Sequence, residues 1–233
     1  MIRRFSVLLL LLGLGAIFVE LLLGYVVDSE LNLSARYYAE HTASDLGAAN
    51  IVTAIIVTYR GLDTLGEVTV LFLTAAIIGL VLSRGNQPGR SIQRRLSSSG
   101  ELLTTGSRLL VPLILLLGAY VFVNGHLTPG GGFQGGAIVA SATLLLLLTD
   151  PLRRFSHRMI SVIESISGLV FISIGVLGVL LAGGFLDNRI LPIGDFGSLF
   201  SAGAIPVIYT FIGLKVGAEF TSMLVNLAET EKS

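Results

Sequence analysis

Residues 125–136 read GHLTPGGGFQGG, and six of these twelve residues are glycine. The stretch lies between two apolar runs, Leu109 to Val123 and Ala137 to Leu148. In a helix interior each glycine costs about 1 kcal/mol against alanine, and Pro129 removes a backbone donor as well. The composition therefore predicts irregular backbone, packed closely against something, joining two membrane-embedded segments. The loop assigned in this way comprises Gly125, His126, Pro129, Gly130, Gly131, Gly132, Phe133, Gly135 and Gly136.

Gly130, Gly132 and Gly135 also satisfy the spacing of a dinucleotide-binding turn, with Asp150 near the distance of a ribose contact. The context rules against it. No strand-length run precedes the loop, and Leu144 to Leu148 leads straight to Asp150 with no second strand between. A G-K-S/T triplet is absent as well, which removes the P-loop.

The surrounding composition agrees with a membrane setting. Of 233 residues, 53% are hydrophobic and only 13% charged, with a mean hydropathy of +0.85. A soluble domain carries about 25% charged residues. Net charge is zero, so nothing points to nucleic acid as a partner. Cysteine is absent, which excludes disulfides, iron–sulfur ligation and thiol nucleophiles within the chain. His41, His126 and His157 fall in or beside predicted loops, an arrangement that argues against haem held between helices. The lipid bilayer is the expected surroundings, and no cofactor is expected in this chain.

Working outward, Phe5 to Val27 gives 23 residues, or roughly 34 Å of helix. Arg3 and Arg4 precede it, but the run is too long for a signal peptide and no small-x-small cleavage site follows. Asp28 to Asp45 is polar and mildly acidic. Ser44 or Asp45 is placed to cap a short helix running to about Tyr59, interrupted by Asn50, Thr53 and Thr58. Leu62 to Leu82 spans comfortably. Residues 84–103 form a basic, serine-rich linker with Arg84, Arg90, Arg94 and Arg95. Four further apolar segments follow, at about Ser107–Asn124, Phe133–Thr149, Met159–Gly183 and Ala202–Leu227.

The basic loops at 84–95 and 153–158 should face the cytoplasm, together with Arg3 and Arg4. An even number of crossings then separates the N-terminus from residue 84. The reading is an all-α, polytopic integral membrane protein with six spans, one short non-crossing helix, and both termini cytoplasmic.

Charges within spans cost roughly 2.5–3.5 kcal/mol at a helix centre on insertion scales. Glu20, Glu67, Glu164, Lys215 and Glu219 qualify by position, and Asp63 stands one turn before Glu67. Lys215 and Glu219 are four apart, hence on one helical face. Gly213 and Gly217 flank the lysine at the small-x-x-x-small spacing that admits a neighbouring helix. Glu20 with Gly24, and Glu164 with Gly168, repeat the pairing of an acid with a small residue one turn on. Spacing leaves two readings open, a self-neutralising pair that anchors packing and a proton or cation relay. No Ser-His-Asp or H-E-x-x-H constellation appears, so an enzyme has no residues to stand on.

Two stretches carry a family resemblance. GHLTPGGGFQGG, entered from LLLGAYVFVN and followed by AIVAS, resembles the signature of the B subunit of Mrp-type multisubunit Na⁺/H⁺ antiporters, the MnhB/MrpB family. It is similar also to the matching subunit of membrane-bound hydrogenases. ESISGLVFISIGVLG at 164–178 and GLKVGAEFTSML at 213–224 extend the resemblance over residues 104–228. Separately, NIVTAIIVTYRGLDTLGEVTVL at 50–71 resembles the C-terminal end of the large A subunit of those antiporters, or the small separate hydrogenase subunit equivalent to it, over residues 1–83. The serine-rich linker falls at the joint, and 229–233 is a tail.

The resemblance implies a subunit without activity of its own in a prokaryotic cell membrane. It would sit beside large antiporter-like and small Mrp-type membrane subunits, with hydrogenase-like redox subunits in one version of the host. Na⁺ and H⁺ are the transported ions it implies. The DTLGE motif places Glu67 among ion-path candidates; Asp63, Glu20, Lys215, Glu219 and Glu164 complete that set. A self-sufficient small transporter or channel is the rival reading, and the two halves show none of the self-similarity that would favour it.

Overall fold

The computed structural model describes residues 2–25, 30–85, 100–150 and 153–230. The expected end of the first span at Val27, Asp28, the arginines at 90, 94 and 95, the serines at 97–99, Pro151 and the last three residues of the tail lie outside the described residues. The chain forms two compact units, residues 1–37 and 38–233.

In the first unit, α1 (Ile2–Gly24) is a single apolar helix whose described side chains are all exposed. An uncovered leucine-rich helix of this length fits a lipid or protein environment, not water. Asn32 accepts a hydrogen bond from the Ala35 amide at 2.8 Å and so opens α2 (Leu33–His41). Glu30 and Arg36 form an exposed ion pair beside it at 3.5 Å.

In the second unit, the polar segment folds as short pieces. A π-helical turn, Thr42–Leu46, ends on Gly47, whose φ of +66° is one that glycine adopts at little cost. The helix start expected at Ser44 or Asp45 is instead at Asn50. Its side chain accepts from the Val52 and Thr53 amides to begin α3 (Ile51–Ala54). A second π-helical turn, Ile55–Tyr59, carries the chain to Arg60. The Thr64 hydroxyl donates to the Ile56 carbonyl of this turn at 2.8 Å, satisfying an acceptor at the widened end. The single short helix of the sequence reading is thus three short elements, with a break at Gly47 after the first. None approaches the roughly 20 residues a crossing needs.

The remaining helices are α4 (Gly61–Gly85), α5 (Glu101–Val123), α6 (Gly132–Thr149), α7 (His157–Leu181) and α8 (Ile205–Thr230). With α1, six helices among the described residues are long and apolar enough to cross a membrane. The six-span expectation holds, with shifted ends. α5 starts at Glu101 inside the expected linker, and α7 starts at His157 with Ser156 Oγ accepting from the Met159 amide at 3.3 Å.

α8 is the axis of the second unit. Half of its span is buried, more than of any other, and α4, α5, α6 and α7 pack around it. Ile205, Ile208, Ile212 and Val216 form its buried face, together with Phe171 of α7 and Val57 and Val68 from the α3–α4 region.

The glycine-rich stretch corrects the sequence reading. Turns occupy residues 124–129, but helix α6 begins at Gly132, so Gly132, Phe133, Gly135 and Gly136 are helical. The propensity penalty is overcome by packing. A Cβ on Gly135 would lie 2.7 Å from the Gly118 carbonyl oxygen of α5, and one on Gly136 would lie 2.7 Å from the Gly213 carbonyl oxygen of α8. Only bare backbone lets three helices approach this closely.

Candidate functional site

The turn at 124–131 is held from three sides. Asn50 donates through Nδ2 to the Gly125 and Thr128 carbonyls at 2.8 and 3.0 Å, while the Thr53 hydroxyl donates to Gly125 at 2.6 Å. The Asn50 amide itself donates to the His126 carbonyl at 2.9 Å. From α8, the Tyr209 ring covers Gly125 and Gly131, leaving no room for a side chain at 125, where a Cβ would meet the ring at 2.6 Å. Pro129 and Gly130 complete the turn, with Gly130 against the Val121 carbonyl. None of these glycines has a left-handed φ; Gly131 is fully extended. They are needed for close approach alone.

His126 points into this seam and is fully buried. Its Nε2 lies 3.4 Å from the Ser198 carbonyl, and Nδ1 has no hydrogen-bond partner. Burial lowers its pKa below the ordinary histidine value of 6.5, against the opposing pull of backbone groups at Ser198, Leu199 and Val123. Across the same loop layer, Asn188 donates to the Leu46 and Ala202 carbonyls, both at 2.9 Å. Beside it Asp187 is nearly buried. That burial alone would raise its carboxyl, but the hydrogen bonds and charge of Arg189 outweigh it and hold the pKa down.

Lys215 and Glu219 form the buried charged centre of α8. Nζ lies 2.8 Å from Oε1, with the lysine side chain 9% exposed and the glutamate fully buried. The contact is an ion pair by distance but misses the angle of a hydrogen bond, and Oε2 has no partner either. Nζ also stands 5.1 Å over the Phe72 ring of α4, within cation–π range. Gly213 faces Phe122 of α5, and Gly217 faces Val139 of α6. Thr143 and Thr221 join α6 to α8 one turn further on, at 3.2 Å.

Glu164, half-buried on α7, opens onto a cleft of about 270 Å³ between α4 and α7. Leu65, Thr69 and Phe72 line one wall and Glu164, Ser165 and Gly168 the other, with Lys215 at the back. Among the other acids, Asp63 is exposed and paired with Arg60, Glu67 is exposed on α4, and Glu20, in the first unit, is exposed on α1. Of the six candidate charges, the structure thus gathers Lys215, Glu219 and Glu164. Among the described residues, no three histidine or acidic side chains converge as metal ligands would.

Sequence reasoning missed Asn50 and Thr53 as anchors of the glycine turn, reading them as interruptions in a helix. Their signal was polar residues at i and i+3 opening an apolar segment. Phe72 and Tyr209 carried no signal among many apolar neighbours.

Residues 102–222 match the family described as the domain related to the MnhB subunit of Na⁺/H⁺ antiporter. The chain belongs to the MnhB family. Ahead of the MnhB domain, residues 2–97 match the MbhE family of MBH subunits. An uncharacterised protein of Methanocaldococcus jannaschii is 31% identical over 192 residues, 72% of each chain. A probable K⁺/H⁺ antiporter protein of Rhizobium meliloti, of the A/B type, is 27% identical over 76% of this chain, which spans only 19% of that protein. Among solved structures, a chain of the membrane-bound sulfane sulfur reductase, an archaeal respiratory membrane complex, is 39% identical. It superposes with a TM-score of 0.82, covering 97% of this chain and 98% of that one. The antiporter-subunit resemblance carried by the glycine-rich stretch is borne out, as is a separate family preceding the MnhB domain.

Proposed function

We propose that this protein is a non-catalytic membrane subunit of a multisubunit cation/proton antiporter module. It helps couple proton movement to Na⁺ movement across a prokaryotic cell membrane, with both termini cytoplasmic. In this reading residues 1–83 are the segment akin to the end of the large antiporter subunit, 84–103 the joint, 104–228 the MnhB-type domain and 229–233 a tail. The observation that carries it is the MnhB-type turn seated on α8, in a chain that matches nearly the full length of a subunit of a respiratory membrane complex. That match favours a host containing redox subunits over a free-standing antiporter. Large antiporter-like and small Mrp-type subunits are the partners.

The exposed carboxylates Glu20 and Glu67 support a neighbour as well. A charge left facing hydrocarbon is expensive, so these sites meet polar groups or water at contacts with other subunits. With Asp63, they are candidates for an ion path at that boundary.

Cation exchange by inverted membrane vesicles, compared between wild type and a deletion of this chain, tests the reading. Loss of Na⁺-driven proton movement on deletion, restored by the intact chain, is expected; unchanged exchange contradicts it. Running Na⁺ and K⁺ in parallel assigns the cation. For orientation, cysteines at Ser156 and Asp195 serve better than one at Asn188, which is fully buried. The first should be shielded from an impermeant thiol reagent outside, and the second labelled.

A further inference from the structure

Five of the six candidate charges are carboxylates, and the one ammonium, Lys215, separates an open cleft from a buried acid. Glu219 is fully buried behind Lys215, whereas Lys215 lines the α4–α7 cleft and Glu164 stands on its wall. Glu164 and Gly168 are one turn apart on α7, about 6 Å along the axis. Gly168 abuts the lysine, since a Cβ there would lie 3.5 Å from Nζ. Glu164 and Lys215 therefore line the same cleft on either side of Gly168. The cleft, at about 270 Å³, has room for several waters, each of which needs only some 10–15 Å³ of such space.

We propose that Glu164, cleft water, Lys215 and Glu219 form a proton relay entering the MnhB domain between α4 and α7. It rests on the antiporter-module reading and names a route within it. The transfer begins with Glu164 protonated, Lys215 an ammonium and Glu219 a carboxylate. Lys215 turns an N–H onto Oε1 of Glu219 and gives it a proton across the 2.8 Å contact. The neutral amine is reprotonated by cleft water, which takes its proton from Glu164. The result is Glu164 as carboxylate, Lys215 again an ammonium, and Glu219 a neutral acid; no other reactant is consumed. The exchange leaves the unpartnered Oε2 of Glu219 as part of a group able to lose its charge, which removes the burden of a lone buried oxygen anion. A lysine suits this post because an ammonium can pass a proton on, whereas a guanidinium is not deprotonated in a protein.

Lys215→Arg is the discriminating substitution. It keeps the positive charge and the pairing with Glu219, but an arginine cannot be deprotonated in a protein. In the intact complex reconstituted in proteoliposomes, we expect normal subunit composition with proton-coupled cation exchange reduced roughly a hundredfold, the low end for losing a proton-transfer group. Gly168→Leu fills the cleft between Glu164 and Lys215 while leaving both charged residues in the chain, and should give the same split between assembly and transport. Wild-type exchange in Lys215→Arg overturns the relay. If that variant fails to assemble, Gly168→Leu decides: wild-type exchange overturns the relay, and lost exchange in an assembled complex upholds it. A wild-type complex that exchanges no cation for protons would instead sink the antiporter reading.

Discussion

Gly136 of α6 lies so close to Gly213 of α8 that any Cβ at 136 would stand 2.7 Å from the Gly213 carbonyl oxygen, a contact with backbone that no rotamer change can relieve. The MnhB signature is thus a three-helix seam, with Gly135 against α5 and Gly136 against α8.

Gly136→Ala should destabilise the protein by about 1–3 kcal/mol, the usual range for overpacking. Gly168→Ala, whose new methyl finds ordinary contacts, should be near neutral. Thermal unfolding of the two variants in the same detergent compares them directly. Equal stability would mean that the seam opens to admit a methyl.

The anchor of the glycine turn separates two contributions. Asn50→Ser keeps an oxygen able to cap α3 but cannot reach the Gly125 and Thr128 carbonyls, now held at 2.8 and 3.0 Å. Asn50→Ala loses both. We expect Ala to cost about 1 kcal/mol more than Ser, the worth of a cap. Limited proteolysis within residues 124–131 should accelerate in both variants; a turn as resistant as wild type refutes the anchoring role.

His126 makes stability pH-dependent with a definite sign. Burial holds its folded pKa below the ordinary 6.5, so the unfolded chain binds more protons in the interval between them. Its contribution is fully present above about 6.5 and is lost as pH falls through that value toward the folded pKa. Melting temperatures measured from pH 7.5 downward should drop more steeply in wild type than in His126→Gln. Parallel curves would show that this histidine is not the titrating group.

Lys215→Met should strongly reduce complex yield, because removing one partner strands Glu219 as a buried charge, at about 3–5 kcal/mol. Adding Glu219→Gln should recover part of the yield. A double-mutant cycle scores the coupling. Additive losses would end the pairing.

Much of the fold was legible because the bilayer imposes length and hydropathy on every span. The six spans appear as expected, and Lys215 and Glu219 meet because i and i+4 share a helical face. Gly132 to Gly136 misled for a physical reason. Propensity argues that glycine leaves helices, but between packed helices the missing side chain is what permits contact, and tertiary packing wins. The short helix was misplaced because Ser44 and Asp45 look like caps, as does Asn50, and local chemistry alone does not rank them. Glu164 joins Lys215 through the packing of α7 on α8, a relation that no spacing within one helix encodes.

Membership of a larger membrane assembly is the claim on which the account turns, and its composition is directly measurable. The chain is tagged at its native locus, extracted in mild detergent and purified, and the co-eluting subunits are quantified by mass spectrometry. We predict large antiporter-like subunits in fixed proportion to this chain, together with iron–sulfur redox subunits. Elution as a lone oligomer, with neither class present in fixed ratio, would contradict the account.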